Sequence, residues 1–367
     1  MKAVFYIKQL CKMLLQQRLL PALYNRAAKK DIQKGLVVFA DAHHNSCPFS
    51  MKMIRYKTAK IGGLEIRDMY LDFQRCSKLR LIKYLWDFMA LYARAEYVFI
   101  CDNFLPAASC KKRSGTKVIQ LWHSGGLLKK AGYDTEETVP GYYKGEVYGN
   151  CDLWTVSAPC VVPVMESSMH QPEGVVQATG ISRTDVYFNE RYNRLCVEKF
   201  YEKHPDAKGK TVVLWAPTFR GNAAQPYVVG EEEVEKACRE CGFYLIKKLH
   251  PHMRGGGETI PTERLFAVAD LLITDYSSVV FDYLAYSKPF VFFVPDKEEY
   301  LAKRGLYVDL ESFPSSCAEN CEELAAAMKK ELERRSRAEL TLCYNYHMMY
   351  CDGKATDRII KKVFSHS

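Results

Sequence analysis

"LLITDYSSVVFDYLAYSKPFVFF", residues 271–293, decides the fold. An apolar run ends at Thr274-Asp275, two serines follow, and an amphipathic pattern leads into a second apolar run. Short apolar runs bounded by turn residues read as buried parallel strands, and the longer stretch between them as a helix. The junction carries an acid, an aromatic and paired hydroxyls, where a plain turn would need only glycine or proline.

The same alternation extends in both directions. "GLVVFA" (35–40), "AEYVFICD" (95–102), "KVIQLW" (117–122) and "DLWTVSA" (152–158) are expected strands, with a long amphipathic helix in "QRCSKLRLIKYLWDFMALYARA". After a polar passage over 183–210 it restarts with "TVVLWAP" (211–217), "FYLIKKLH" (243–250), "LFAVADLLITD" (265–275) and "FVFFVP" (290–295), and with helices near 229–241, 277–287 and 319–337. Two such blocks predict two doubly wound, Rossmann-like α/β domains. The expected divisions are a basic amphipathic segment at 1–34, an N-terminal domain at 35–190 and a C-terminal domain at 191–367. Ligands in open α/β sheets bind beyond the carboxyl ends of the strands, so a cleft between the two domains is the expected site.

The 367 residues are 48% hydrophobic and 26% charged, the profile of a globular chain with sizeable cores. A net charge of +9 suits an anionic partner without choosing among nucleotide, nucleic acid, phosphate polymer or membrane. Fourteen scattered cysteines give no disulfide framework, and a reducing compartment is expected. Cys238 and Cys241 lack the second pair a zinc site needs, since Cys317 and Cys321 stand one residue too wide. On the helix-like run "VEKACRECGFYLI" they read as packing cysteines. No apolar stretch approaches the ~18–20 residues of a membrane span, and no cleavable signal pattern is visible. The first thirty residues place Ile7, Leu10, Cys11, Leu14 and Leu15 on one helical face and Lys8, Lys12 and Gln16 opposite. That pattern fits a basic helix lying on an anionic membrane, and equally a helix packed on the body of the protein.

Four strand ends carry chemistry. His123 closes "KVIQLW" and is followed by Gly125-Gly126, which permit close backbone approach. Thr218 and Arg220 follow "TVVLWAP", His250-Pro251-His252 follows "FYLIKKL", and Asp275, Ser277 and Ser278 follow "DLLIT". Free N–H groups at a helix start, with serine hydroxyls, form an anion site, although Asp275 or Ser277 read alone is simply an N-cap. Histidines at strand ends in both domains supply a base near neutral pH and a phosphate donor. The pairs His43/His44 and His250/His252 lack a third metal ligand at usable spacing, and Gly255–Gly257 lacks the Lys-Ser/Thr of a P-loop.

In this order the junctions resemble the CDP-glycerol glycerophosphotransferase family. "LWHSGGLLKKAG" is similar to its W-H-G-T-P-L-K-K-I-G element, "LWAPTFRGN" to A-P-T-W/F-R, "LHPH" to H-P, and "LITDYSSVVFDYLAYSKPFVFF" to T-D-Y-S-S. "ATGISRTDVYF" resembles G-x-P-R-x-D and "CDGKATDRI" a terminal D-G-x-A segment, so the likeness runs from about residue 95 to 360. Departures are Ser124-Gly125-Gly126 in place of Gly-Thr-Pro and Ser182 in place of proline, and "DAHHNSCPFS" (41–50), which ends the first strand, is not aligned with a family element.

The resemblance implies a GT-B architecture. It also implies transfer of an alditol phosphate from a CDP-alditol to a hydroxyl of a lipid-linked or polymer acceptor, with release of CMP, at the cytoplasmic face of the membrane. His123 is then the base, His250 and Arg220 hold the transferring phosphate, and Ser277 and Ser278 hold the pyrophosphate. Thr218 and Asp275 shape the nucleotide pocket, while Gly125, Gly126 and Arg183 lie on the acceptor side. No tightly bound cofactor and no protein-held metal are expected, and a Mg²⁺ ion carried on the donor diphosphate is compatible with the sequence. Two rivals use the same features. One is a glycosyltransferase taking a UDP- or GDP-sugar, with Asp275 or Asp282 as the donor-sugar acid. The other is a non-catalytic, membrane-seated binder of phosphate polymers. No nucleic-acid motif or basic-aromatic platform is present.

Overall fold

The computed structural model describes residues 10–141, 143–222, 225–249, 257–334 and 336–365. The chain forms two compact units. The first contains the residues up to His123, Ala131–Asp185 and Tyr350 onward; the second contains Ser124–Lys130 and Val186–Met349.

The first unit is built on a parallel sheet of β1 (Gln33–Asp41), β2 (Glu65–Tyr70), β3 (Ala95–Ile100), β4 (Lys117–Gln120), β5 (Leu153–Val156) and β6 (Val176–Ala178), in the order β2-β1-β3-β4-β5-β6. Alternation along β1 divides its side chains between two cores. Leu36, Val38 and Ala40 pack with the helices Leu20–Ala27 and Lys78–Tyr92. Val37 and Phe39 pack on the other face with Met51 and Ile54 of the helix Phe49–Thr58 and with Ile359 and Val363 of the terminal helix Ala355–Phe364.

In the second unit a parallel sheet runs β10-β7-β11-β12-β13, made of β7 (Val212–Ala216), β10 (Tyr244–Lys247), β11 (Leu271–Thr274), β12 (Phe290–Phe293) and β13 (Ser316–Ala318). A hairpin of β8 (Arg220–Asn222) and β9 (Gln225–Tyr227) leaves the end of β7. The helices Glu231–Glu240 and Cys321–Glu333 cover one face through Val234, Ala237, Leu324 and Met328. Cys238 sits in that core, where burial pushes its thiol up to about 12, so it packs as an apolar residue.

Four assignments differ from the sequence-based expectation. The middle segment of the first unit ends at Asp185, not at residue 190, and the N-terminal helix belongs to that unit. The terminal helix returns to the first unit because Phe364 meets Tyr97 and Phe99 while the Asp185 carboxylate accepts from the N–H groups of Ala355 and Thr356 at 3.0 and 2.8 Å. Segment 124–130 groups with the second unit, where Gly125 and Gly126 pack on Met348 and Phe281.

Candidate functional site

Both sheets reverse strand order between their first and third strands, β1/β3 in one and β7/β11 in the other. Such reversals separate the loops that follow the two strands and leave room for a ligand.

At the second reversal, Asp275 after β11 accepts the backbone N–H of Thr218 after β7, at 2.8 and 3.0 Å. Arg220 donates through Nη1 to Asp275 at 3.0 Å and to the Thr218 carbonyl at 2.7 Å, and through Nε and Nη2 to Asp296 at 2.7 and 3.1 Å. Tyr276 and Tyr300 stack at 3.7 Å, and the guanidinium lies 5.2 and 4.7 Å from their ring centroids. Burial alone would lower the Arg220 pKa, but Asp296 and Asp275 outweigh it and raise the value. Tyr276 is raised by burial and by the same carboxylates. Arg220 thus ties three strand ends together, with four of its five N–H groups committed to protein oxygens. The Thr218 hydroxyl is buried and has no hydrogen-bond partner among the described residues.

Ser277 and Ser278 follow directly. Ser278 caps the helix Val279–Tyr283 with its backbone alone, and the Ser277 hydroxyl accepts from Val279 only at 3.4 Å. Asp275 is not an N-cap, because both of its oxygens are used across the strand ends. Both serine hydroxyls therefore remain near a helix start without a strong capping bond. His250, expected beside them, lies outside the described residues.

In the first unit, His123 and Asp102 follow β4 and β3, with His123 Nδ1 3.4 Å from an Asp102 carboxylate oxygen and both side chains open to solvent. Near them, at the end of β1, the buried Asp41 accepts from the N–H groups of His43 and His44 and from His44 Nδ1 at 2.8, 2.7 and 2.9 Å. Arg183 lies in the 3₁₀ segment Ser182–Phe188, partly buried, and its charge reaches Cys101 at the end of β3.

The two glycines after His123 differ from expectation. A Cβ on Gly126, whose φ is +41°, would stand 2.6 Å from the Phe281 ring, and one on Gly125 would stand 2.7 Å from Met348. The close approach these glycines permit is to the protein's own side chains. Asp102, Asp296 and Asp41 were missed as site residues. Their signal was available: each is a carboxylate at or just past the end of a buried apolar strand.

Two Rossmann-like parallel sheets carrying polar clusters at their carboxyl ends define a GT-B-like α/β protein. The chain belongs to the CDP-glycerol:poly(glycerophosphate) glycerophosphotransferase family, whose profile matches residues 23–365. It is accordingly an enzyme of the phosphotransferase kind. It is 28% identical over 354 residues to a teichoic acid ribitol-phosphate primase of Bacillus spizizenii, covering 89% of this chain and 90% of the relative. It is 29% identical over 298 residues to the teichoic acid ribitol-phosphate polymerase TarK of Staphylococcus aureus, covering 75% of this chain and 57% of that protein. The fold is that of the wall teichoic acid polymerase TagF, with a TM-score of 0.76 at 18% identity over 98% of this chain and 96% of the other. The chain thus spans nearly all of the primase and little more than half of the polymerase it matches.

Proposed function

We propose that the protein transfers glycerol phosphate or ribitol phosphate from a CDP-alditol to a hydroxyl of a lipid-linked or polymer acceptor in the synthesis of a teichoic-acid-like polymer. The acceptor oxygen attacks the β-phosphorus and its proton passes to His123. The bond from that phosphorus to the bridging oxygen breaks, and CMP leaves with the electron pair. Positioning and charge stabilisation carry such a reaction. The observation that supports this most is the polar cluster at the β7/β11 reversal, with its unpartnered Thr218 hydroxyl and the serine pair beside a helix start. In this reading Thr218, Ser277 and Ser278 receive the diphosphate, Arg220 and Asp275 hold their loops, and His250 and Arg183 act on the transferring and acceptor phosphates. The double engagement of Asp275 argues against its use as a donor-sugar acid.

The reading also seats the protein on the cytoplasmic face of an anionic membrane. No helix among the described residues is long and apolar enough to cross one. Support for surface docking comes from the N-terminal helix, where Gln16 turns inward to bond Tyr143 and the Glu146 carbonyl while Leu10 and Leu14 are 55% and 54% exposed. Beside it, Leu79, Ile82 and Trp86 form an exposed i, i+3, i+7 stripe flanked by Lys78, Arg80 and Lys83, and Arg26 lies over the Trp86 ring at 5.9 Å.

The test is nucleotide release from CDP-glycerol, CDP-ribitol, UDP-glucose and GDP-mannose, each with a lipid-pyrophosphoryl disaccharide acceptor. CMP from a CDP-alditol only, with a phosphate-extended lipid, is the expected result and names the alditol. UDP or GDP release, or tight binding without turnover of any donor, overturns it. EDTA in the same assay reads any Mg²⁺ requirement.

A further inference from the structure

We propose that Asp102 is the positioning residue of His123 and that Gln120 holds the pair in register; this rests on the reading of His123 as the base. β3 and β4 pair with Ile100 opposite Gln120, so Asp102 and His123 emerge side by side, two and three residues further on. Both strands turn there through left-handed residues that are not glycine, Asp102 at φ 62° and Trp122 at φ 49°. Left-handed backbone is uncommon for any side chain with a Cβ and an outlier for a bulky one, and it collects where geometry is being enforced.

One side chain serves both turns. The amide of the buried Gln120 donates to the Asp102 carbonyl at 2.8 Å and accepts from the Trp122 N–H at 3.2 Å. Asp102 divides its own carboxylate: Oδ1 accepts from the Asn103 N–H at 2.7 Å, and Oδ2 faces His123 Nδ1 at 3.4 Å. Trp122 lies against the imidazole at 4.5 Å and is itself braced by Trp154 at 5.2 Å. The 3.4 Å separation is longer than a formed hydrogen bond, and catalytic hydrogen bonds commonly tighten in the substrate complex. A carboxylate opposite Nδ1 selects the tautomer with the proton on Nδ1. The Nε2 lone pair then points away to receive the acceptor proton, and the carboxylate stabilises the imidazolium that results. Asp102 touches no reacting atom; it acts through His123.

The experiment uses the full chain and its D102N, H123A and D102N/H123A variants, with ¹⁵N-histidine labelling. In the unsubstituted protein at a pH where His123 is neutral, its ¹⁵N shifts, assigned by loss of the signals in H123A, show the Nδ1-protonated tautomer; the Nε2-protonated form overturns the proposal without any Asp102 variant. D102N moves the shifts towards a mixture of tautomers and lowers kcat for CMP release roughly 10²–10⁴-fold, the usual worth of a general base. KM for the CDP-alditol changes little. In the H123A background D102N costs nothing more, because residues acting as a unit are not additive. Turnover of D102N within threefold of the unsubstituted protein, or a further large loss in the double variant, overturns the positioning role. Near-normal turnover of H123A instead overturns the reading of His123 as base, whatever D102N does.

Discussion

Arg220 shows how much can hang on one side chain. Two carboxylates and one carbonyl converge on it from the ends of β7, β11 and β12, and its side chain is only 10% exposed. Removing it leaves Asp275 and Asp296 in a poorly hydrated place without their common counter-charge, which costs about 3–5 kcal/mol for a buried pair. Arg220→Ala is therefore expected to lose about that much in urea unfolding. Arg220→Lys should recover only part, since an ammonium cannot make the planar double contact with Asp296. His347 gives a second residue-scale prediction. Burial beside Phe281 and Phe313 lowers its pKa to about 4. The unfolded chain takes up this proton first, near pH 6.5, so stability is full above that pH and declines as pH falls towards about 4. The loss approaches about 3 kcal/mol, and His347→Phe should flatten that part of the urea-stability profile. An unchanged slope would show that His347 is not held neutral. Polar residues were legible at this scale where they follow apolar strands: His123, Thr218, Asp275. Their partners were not, because Asp296 and Asp102 are distant in sequence from the groups they meet.

At the scale of elements, strands buried on both faces were the readable ones. β1, β3, β7, β11 and β12 are runs of Val, Ile, Leu and Phe without alternation, as parallel strands covered on both sides must be. β2, with the polar sequence "EIRDMY" and exposed residues, and the three-residue β6 and β13 are end strands of their sheets, and sequence reasoning missed them. The helix Glu190–Lys203 was also missed inside a passage too charged to read as buried; it buries only Cys196 and Phe200. The elements at 178–188 and 350–359 explain each other. Ser182 and Thr356 share a hydroxyl contact at 3.0 Å, Arg358 donates to the Thr179 carbonyl at 2.9 Å, and Gly180, at φ +84°, makes room for the Tyr350 carbonyl. Two motifs that resembled functional elements therefore fasten the terminal helix to the first unit. Asp185→Ala removes the cap on that helix and should cost about 1–2 kcal/mol. Equilibrium unfolding would measure the cost, and loss of amide-exchange protection in Ala355–Phe364 would locate it.

For the whole molecule, the balance of apolar and cationic surface bears on where the enzyme works. Leu10, Leu14, Leu79, Ile82 and Trp86 stay exposed on two neighbouring helices although the first unit has two cores that could have taken apolar residues. Co-sedimentation with anionic vesicles is expected, weakened by salt, and weaker by roughly tenfold for each of Leu79→Ser and Ile82→Ser, given about 1.5–3 kcal/mol for a buried aliphatic side chain. Equal binding to neutral vesicles, or no effect of the serines, would discard this docking face. The sequence by itself determined the two α/β blocks and the polar residues that follow their strands, because apolar periodicity and turn residues are local properties of a chain. Tertiary structure alone decided that Arg220 joins two aspartates, that Asp102 lies beside His123, that Gly125 and Gly126 pack on Met348 and Phe281, and that the terminal helix rejoins the first unit. Each of those depends on residues brought together by strand order, and strand order is set by how the whole apolar surface is buried.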